Sequence, residues 1–324
     1  MSTGPPIAGL PAADHAPGPV LAIDVGGTKL AAAVVEPDGT IAVQGAVPTP
    51  AGGDTATVTV ALHRVVRQVI GDRDPATLTG LGVGSAGPLD PAAGTVSPVN
   101  IHAWRDFGIL DSLRPLLPGR PAALAGDGHC MALGEHWRGG YPGRALLGMV
   151  VSTGVGGGLV IDGRVQPGGS GNAGHIGHIV VDMAGPPCPC GGRGCVEAIA
   201  SGPAMVRWAV DQGWTPGDRP GDARTLAEDA RAGVPLAVAA FGRGARALAA
   251  AVVSATALVD LDVVVIGGGV AAAGDLLFAP LRAAVAELAG LDFVRRVRIH
   301  TSSLGNDAGL LGAAALALEA AARR

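Results

Sequence analysis

The chain predicts an α/β fold, on three observations. Short apolar runs of strand type alternate with segments of helical periodicity along most of its length. One pattern, an apolar strand, a Gly/Thr turn and a second strand, occurs twice, near 20–35 and 146–161. Finally, 324 residues with 48% hydrophobic and 15% charged side chains are a globular composition, with chain enough for about two domains.

The elements follow in order. Val20–Val25 (VLAIDV) reads as a strand, Gly26-Gly27-Thr28-Lys29 as a turn and Leu30–Val35 as the next strand. Pro37-Asp38-Gly39 then turns the chain into a third strand, Ile41–Val47, so an antiparallel meander opens the fold. Val58, Leu62, Val65, Val66 and Val69 share a helical face and predict a helix over 55–70. Leu78–Val83 is the next predicted strand, and a Gly/Pro-rich segment, 84–98, follows it. Leu146–Val151 restarts the pattern, with Ser152-Thr153-Gly154-Val155-Gly156-Gly157-Gly158 read as the turn and Leu159–Ile161 as the returning strand. Val263–Ile266 is a late strand ending in Gly267-Gly268-Gly269. Leu277, Leu281, Val285 and Leu288 mark a helix, and an Ala/Leu helix runs from about 308 to the end.

Composition excludes several classes. A net charge of −4 with no basic block argues against a dedicated nucleic-acid binder. Residues 1–19 have no basic start and no apolar segment, so they read as a disordered Pro/Gly/Ala lead and not as a signal peptide. The longest apolar runs, such as Ala247–Val259, fall short of the ~20 residues a membrane span needs, and a soluble, cytoplasmic protein is expected. Of the 23 basic residues only Lys29 is a lysine, and it stands in the first glycine turn.

Glycine after a strand lets backbone N–H groups approach a phosphate without a Cβ in the way. Two familiar phosphate motifs nevertheless fail. Gly82–Gly87 fits G-x-G-x-x-G, but Pro88 and Pro91 prevent the helix a dinucleotide fold needs next. Lys29 is preceded by Thr28, so there is no G-K-[ST] loop. Cys188, Cys190 and Cys195, three of the four cysteines, lie within eight residues, and His178 stands ten residues before the first. A Cys₃His set fills tetrahedral zinc with no open position and predicts a structural metal site. Cys130, alone, reads as a buried small hydrophobe.

The combination of D-x-G-G-T-K at 24–29, S-T-G-x-G-G-G at 152–158 and the late glycine run resembles the actin-like ATPase (ribonuclease H-like) fold of hexokinases. That resemblance implies two duplicated domains around a central cleft. The cysteine pattern C-x-C-G-x-x-G-C-x-E after Gly174-His175-Ile176-Gly177-His178 narrows it: the chain from about 20 to 320 resembles the ROK family of repressors and sugar kinases. The implied division is a small domain of 20–122 plus 307–324 and a larger one of 123–306 that carries the zinc loop and the dimerisation elements. The implied reaction is ATP-dependent phosphorylation of a primary, 6-type hydroxyl of a hexose or hexose-like substrate. Asp24, Gly26, Gly27, Thr28, Lys29, Thr153, Gly154, Gly268 and Gly269 are implied to hold ATP and Mg²⁺. Asp127, in Ala125–Glu135 (AGDGHCMALGE), is implied to be the general base. Gly87, Gly126, Asp127, His175, His178 and Glu197 are implied at the sugar, with Asn100 and Trp104 at the cleft edge. His178, Cys188, Cys190 and Cys195 are the implied zinc ligands. His102, His129 and His136 read as structural.

Two positions depart from the family pattern. Gly126 replaces an asparagine before the base, and His175 replaces a glutamate in A-G-E-x-G-H. A site built for hydroxyls discriminates strongly, since an unpaired buried group costs about 1–3 kcal/mol. The substrate is therefore expected to differ from glucose: a hexose with another hydroxyl pattern, an amino or N-acetyl sugar, or a sugar-like C7 cyclitol. A DNA-binding repressor is disfavoured by the 23 Pro/Gly-rich residues before Asp24, and a non-catalytic sugar binder by the presence of Asp24 and Asp127. The resemblance also implies a homodimer or homotetramer.

Overall fold

A computed structural model describes residues 18–141 and 143–323. The predicted disordered lead falls, up to residue 17, outside the described residues. The strands are β1 (Val20–Val25), β2 (Lys29–Val35), β3 (Ile41–Pro48), β4 (Leu81–Ser85), β5 (Leu89–Asp90), β6 (Thr95–Val96) and β7 (Ala122–Gly126), then β8 (Ala145–Val151), β9 (Val155–Ile161), β10 (Arg164–Val165), β11 (Val263–Gly267) and β12 (Arg298–Thr301). The helices are α1 (Thr55–Ile70), α2 (Ile109–Leu113), α3 (Asp127–Arg138), α4 (Val196–Ala200) and α5 (Gly202–Asp211), then α6 (Ala223–Arg231), α7 (Pro235–Val259), α8 (Asp275–Leu288), α9 (Asp292–Arg295) and α10 (Ala308–Ala322). Two five-stranded sheets have the same order: β3-β2-β1-β4-β7 and β10-β9-β8-β11-β12.

The chain divides into two compact units. The first holds described residues 18–141, 158–174 and 303–323, and the second 143–157 and 175–302. In the first unit β1–β3 form the expected antiparallel meander, and β4 and β7 add in parallel. Helix α1 covers the predicted residues; Asp54 caps it by accepting from the Thr57 N–H at 2.8 Å, and its Val58/Leu62/Val65/Val66/Val69 stripe is buried. The strand expected at 78–83 lies at 81–85, because Asp74 and Pro75 seed a 3₁₀ turn over Pro75–Thr77 that delays it. Helix α10 packs on α3, β1, β4 and β7. Gly82 makes that possible, since a Cβ there would overlap the Ala313 carbonyl. The glycine of the failed G-x-G-x-x-G motif is thus a packing glycine. Cys130 is fully buried against Gly84, as expected of a small hydrophobe. The sequence-based boundary after 122 cuts β7 behind its first residue and parts it from α3, yet both lie in this first unit because α10 covers them.

In the second unit β8, β11 and β12 are parallel, and every residue of β11 is buried. Helix α7 is 25 residues long, so Ala247–Val259 is only the second half of an apolar helix long enough to cross a membrane. Its burial is the reason for its composition: it packs against α4, α5, α6 and α8 as a core helix, and Arg243 and Arg246 interrupt it.

Candidate active site

In the first unit, β1 delivers Asp24 to the first glycine turn. The turn closes by the Gly26 N–H donating to the Lys29 carbonyl (3.0 Å). Thr49, just past β3, braces it: its hydroxyl donates to the Gly26 carbonyl (2.7 Å) and its N–H to the Thr28 carbonyl (3.0 Å). Gly27 lies against Asn100, whose Cβ is 2.5 Å from where a Gly27 Cβ would stand. Thr28 and Lys29 are exposed. Trp104, expected at a cleft edge, is instead fully buried and stacked on Phe107 with centroids 4.3 Å apart. A large indole on an apolar segment is core by default, and Ile101, Ile109 and Leu113 share its core.

Strand β7 runs directly into α3, so Gly126 is the helix N-cap and Asp127 its first residue. Asp127 is exposed, and its Oδ1 accepts from the Gly128 N–H at 2.7 Å. The first turn of a helix favours a carboxylate there. Gly87 is half-buried in the loop after β4, its carbonyl accepting from the Val99 N–H (3.3 Å).

Asp24 is pushed up to about 6 by burial first and by the Asp127 charge second, with Lys29 acting in the opposite sense. A half-buried carboxylate beside a second carboxylate is a site that gains from a cation, and this fits Mg²⁺. A raised folded pKa means that the fold favours the protonated acid. That stabilisation is complete below about pH 4 and is lost as pH rises through about 6. Asp24→Asn should therefore gain on the wild type between pH 4 and 7, by roughly 1–3 kcal/mol given partial solvent screening. Urea denaturation at several pH values checks this; parallel stability curves for the two proteins would exclude the titration.

In the second unit the turn is shorter than expected. Only Ser152–Gly154 turns, and Gly156–Gly158 are strand residues of β9. Gly158, where the strand has passed into the first unit, is glycine because a Cβ would overlap His129 and Gly128. Glu197, in the first turn of α4, is tied to the hairpin: its Oε2 accepts from the Val155 N–H at 2.9 Å and would lie 2.7 Å from a Gly154 Cβ.

Beside this hairpin lies a cavity of about 710 Å³ walled by Ser152, Thr153, Gly269, Val270, Phe241 and residues of α5 and α6. Arg207, Arg224 and Arg231 also line it. Apolar walls with a few cations suit a heteroaromatic ring carrying phosphates. Of the late glycines only Gly269 lines the cavity. Gly268 takes φ +94°, and a Cβ on it would stand 2.5 Å from the Val151 carbonyl, so it shapes the strand end.

The ligand atoms of His178, Cys188, Cys190 and Cys195 all lie within 4.8 Å of one another. Cys190 Sγ is 3.8 Å from Cys195 Sγ, and Cys188 Sγ is 3.8 Å from His178 Nδ1. Zn–S bonds of ~2.3 Å at tetrahedral angles separate sulfurs by roughly 3.8 Å, so the donors fit zinc. Burial first, and then the neighbouring thiols, push Cys195 up to about 12. Three thiols this close cannot all ionise without a cation among them. The loop is held by the Cys188 N–H donating to the Gly192 carbonyl (2.9 Å) and by the Val196 N–H donating to the Ile179 carbonyl (3.0 Å). His178 is thus one ligand of the cluster, and Glu197 stands two residues after another, Cys195. The exposed His175 ring stacks on His178, centroids 6.0 Å apart.

The comparisons with known proteins agree with this architecture. The ROK family model matches residues 20–320. The chain belongs to the ROK family. An N-acetylmannosamine kinase of Citrobacter koseri is 38% identical over 297 residues, covering 92% of this chain and 98% of that kinase. Among solved structures, a ROK family glucokinase from Streptomyces griseus, in complex with glucose and AMPPNP, is 32% identical with TM-score 0.79, covering 93% of this chain and 99% of that one. A ROK hexokinase from Thermus thermophilus is 35% identical with TM-score 0.75, covering 92% and 97%. Of the ROK-site residues expected from sequence, Asp24, Gly26, Gly27, Thr28, Lys29, Gly87, Gly126 and Asp127 lie in the first unit. Thr153, Gly154, His175, His178, Glu197, Gly268 and Gly269 lie in the second. Sequence reasoning missed the three arginines of the cavity, which sit on helices with no motif. It also missed that His129, in the first turn of α3, crowds the point where a Gly126 Cβ would stand.

Proposed function

We propose that this ROK chain is an ATP-dependent sugar kinase that phosphorylates a primary, 6-type hydroxyl of a hexose or hexose-like acceptor, with Asp127 as general base. The observation that carries the reading is the exposed Asp127 carboxylate at the β7–α3 junction, in the unit that also holds Asp24 and the first glycine turn. Asp127 takes the hydroxyl proton as the oxygen attacks the γ-phosphorus. The new O–P bond forms as the bond to the β-phosphate oxygen breaks, and ADP leaves. Asp24, with the backbone of Gly26 and Gly27, would hold Mg²⁺ and phosphates. When bound, the ion neutralises phosphate charge. Lys29 adds positive charge from the same turn. Thr153 and Gly269 would contact the nucleotide in the second unit's cavity, while Gly154 and Gly268 shape the backbone there. His178, Cys188, Cys190 and Cys195 would hold a structural zinc, leaving His178 and Glu197, with Gly87, Gly126 and His175, toward the acceptor. The duplicated, actin-like reading of the two sheets rests on their identical strand order.

An amino-sugar acceptor is the second reading. The 38% identity to an N-acetylmannosamine kinase favours it, as does the absence of an amide at Gly126. A C7 cyclitol, whose exocyclic hydroxymethyl corresponds to a hexose C6, is the further alternative. Coupled ADP release across glucose, N-acetylmannosamine, N-acetylglucosamine and cyclitols tests all three. The expected result is that an acceptor other than glucose has the highest kcat/KM; glucose as the best acceptor would refute the altered-specificity part, and no turnover of any would refute the kinase.

A further inference from the structure

The residue before the proposed base has no side chain, and the structure places a buried imidazole in tight contact with the point where one would start. A Cβ on Gly126 would stand 3.1 Å from His129 Nδ1 and 3.8 Å from Leu89 Cδ2. A contact of 3.1 Å is tight already for a methyl group, and a branched amide at 126 needs more room. The ring has little freedom to yield. His129 is 3% exposed. Its Nε2 donates to the Gln166 carbonyl at 3.3 Å, and Gly158 of β9 presses on its own backbone. Gly126 itself is partly exposed and flanks Asp127.

We propose that Gly126 and His129 form one specificity element. The imidazole crowds any side chain at position 126 and so helps to set which acceptor is bound next to Asp127. Two consequences follow. Gly126→Asn alone must push against the buried ring to seat its amide, and the amide is held off its best position. With the ring removed by His129→Ala, the amide at 126 gains room, and it brings both a donor and an acceptor for sugar hydroxyls. A cavity of about 280 Å³ already borders His129, together with Ala125, Pro91 and Gly171, so removing the ring enlarges an existing void.

The test is a double-substitution cycle on the full chain: wild type, Gly126→Asn, His129→Ala and both together. Two quantities are read for glucose, N-acetylmannosamine and valienol as a cyclitol probe. The first is Kd by calorimetry, the second kcat/KM by ADP release. Gly126→Asn alone should weaken binding of the preferred acceptor tenfold or more, with kcat changed less than KM. The double variant should regain binding and shift the ratio of affinities among the three probes at least tenfold from wild type. If each substitution changes the ratios by the same factor whether or not the other is present, the proposal is overturned; so it is if the chain binds none of the probes. The inference rests on the acceptor site assigned above, but the calorimetric ratios do not depend on phosphoryl transfer. Binding that shows the coupling without any ADP release would therefore refute the kinase reading and leave this pair standing. Circular dichroism and chemical denaturation of all four proteins identify a variant that fails to fold; in that case Gly126→Ser and His129→Ser replace it in the same cycle.

Discussion

Asp127→Asn is expected to lower kcat by about 10²–10⁴-fold, the usual contribution of a positioned proton acceptor. Binding of nucleotide and acceptor should change little. The replacement keeps the volume, and its amide oxygen can still accept from the Gly128 N–H that Asp127 now binds at 2.7 Å. Helix α3 should keep its start, so stability should stay within about 1 kcal/mol. Single-turnover phosphoryl transfer, with calorimetric binding of both ligands, checks the separation. Turnover near the parent level would remove Asp127 from the role of base. Loss of binding together with turnover would mean that the carboxylate positions the acceptor and does not take its proton.

Cys195→Ser should have the largest effect on stability. Cys195 is 2% exposed, burial first and then the neighbouring thiols push its thiol up to about 12, and it begins the link to α4 and Glu197. Removing one thiol leaves two sulfurs and an imidazole for the ion, and metal-site losses amount to several kcal/mol, or roughly 10 °C in Tm. One zinc per chain is expected by elemental analysis of the parent and much less in the variant. Because Glu197 Oε2 holds the Val155 N–H, the loss should also raise KM for the acceptor. Cys130→Ser makes the control: that residue is buried outside the cluster, and its loss should leave the zinc content unchanged. Unaltered zinc content in Cys195→Ser would exclude the ligand set.

Much of the fold was legible because periodicity is a local property. The meander at 20–48, the buried stripe of α1, the strand Val263–Gly267 and the last helix all follow from spacing within a few residues. The cysteine loop was legible for the same reason: four ligands within eighteen residues must meet if the loop is tight, and they do. The glycines were not. Gly156–Gly158 looked like a turn but are strand, and Gly158 is bare because it accommodates the start of α3, distant in sequence. Gly82 answers to α10, more than two hundred residues away, and Gly268 to the end of β8. Trp104 looked like a cleft residue and is core, because nothing in its own segment shows which neighbours cover it.

The sequence by itself determined the α/β alternation, the chemistry available at Asp24, Asp127 and the cysteine loop, and the absence of an amide at 126. Only the tertiary structure decided that Asp24 lies deep enough beside Asp127 to be pushed up to about 6, that three arginines face one cavity, and that position 82 must be bare for α10 to pack. The physical reason is range. Side-chain identity and hydrogen-bonded periodicity act between near neighbours along the chain, whereas burial, charge coupling and excluded volume depend on segments that meet only after folding.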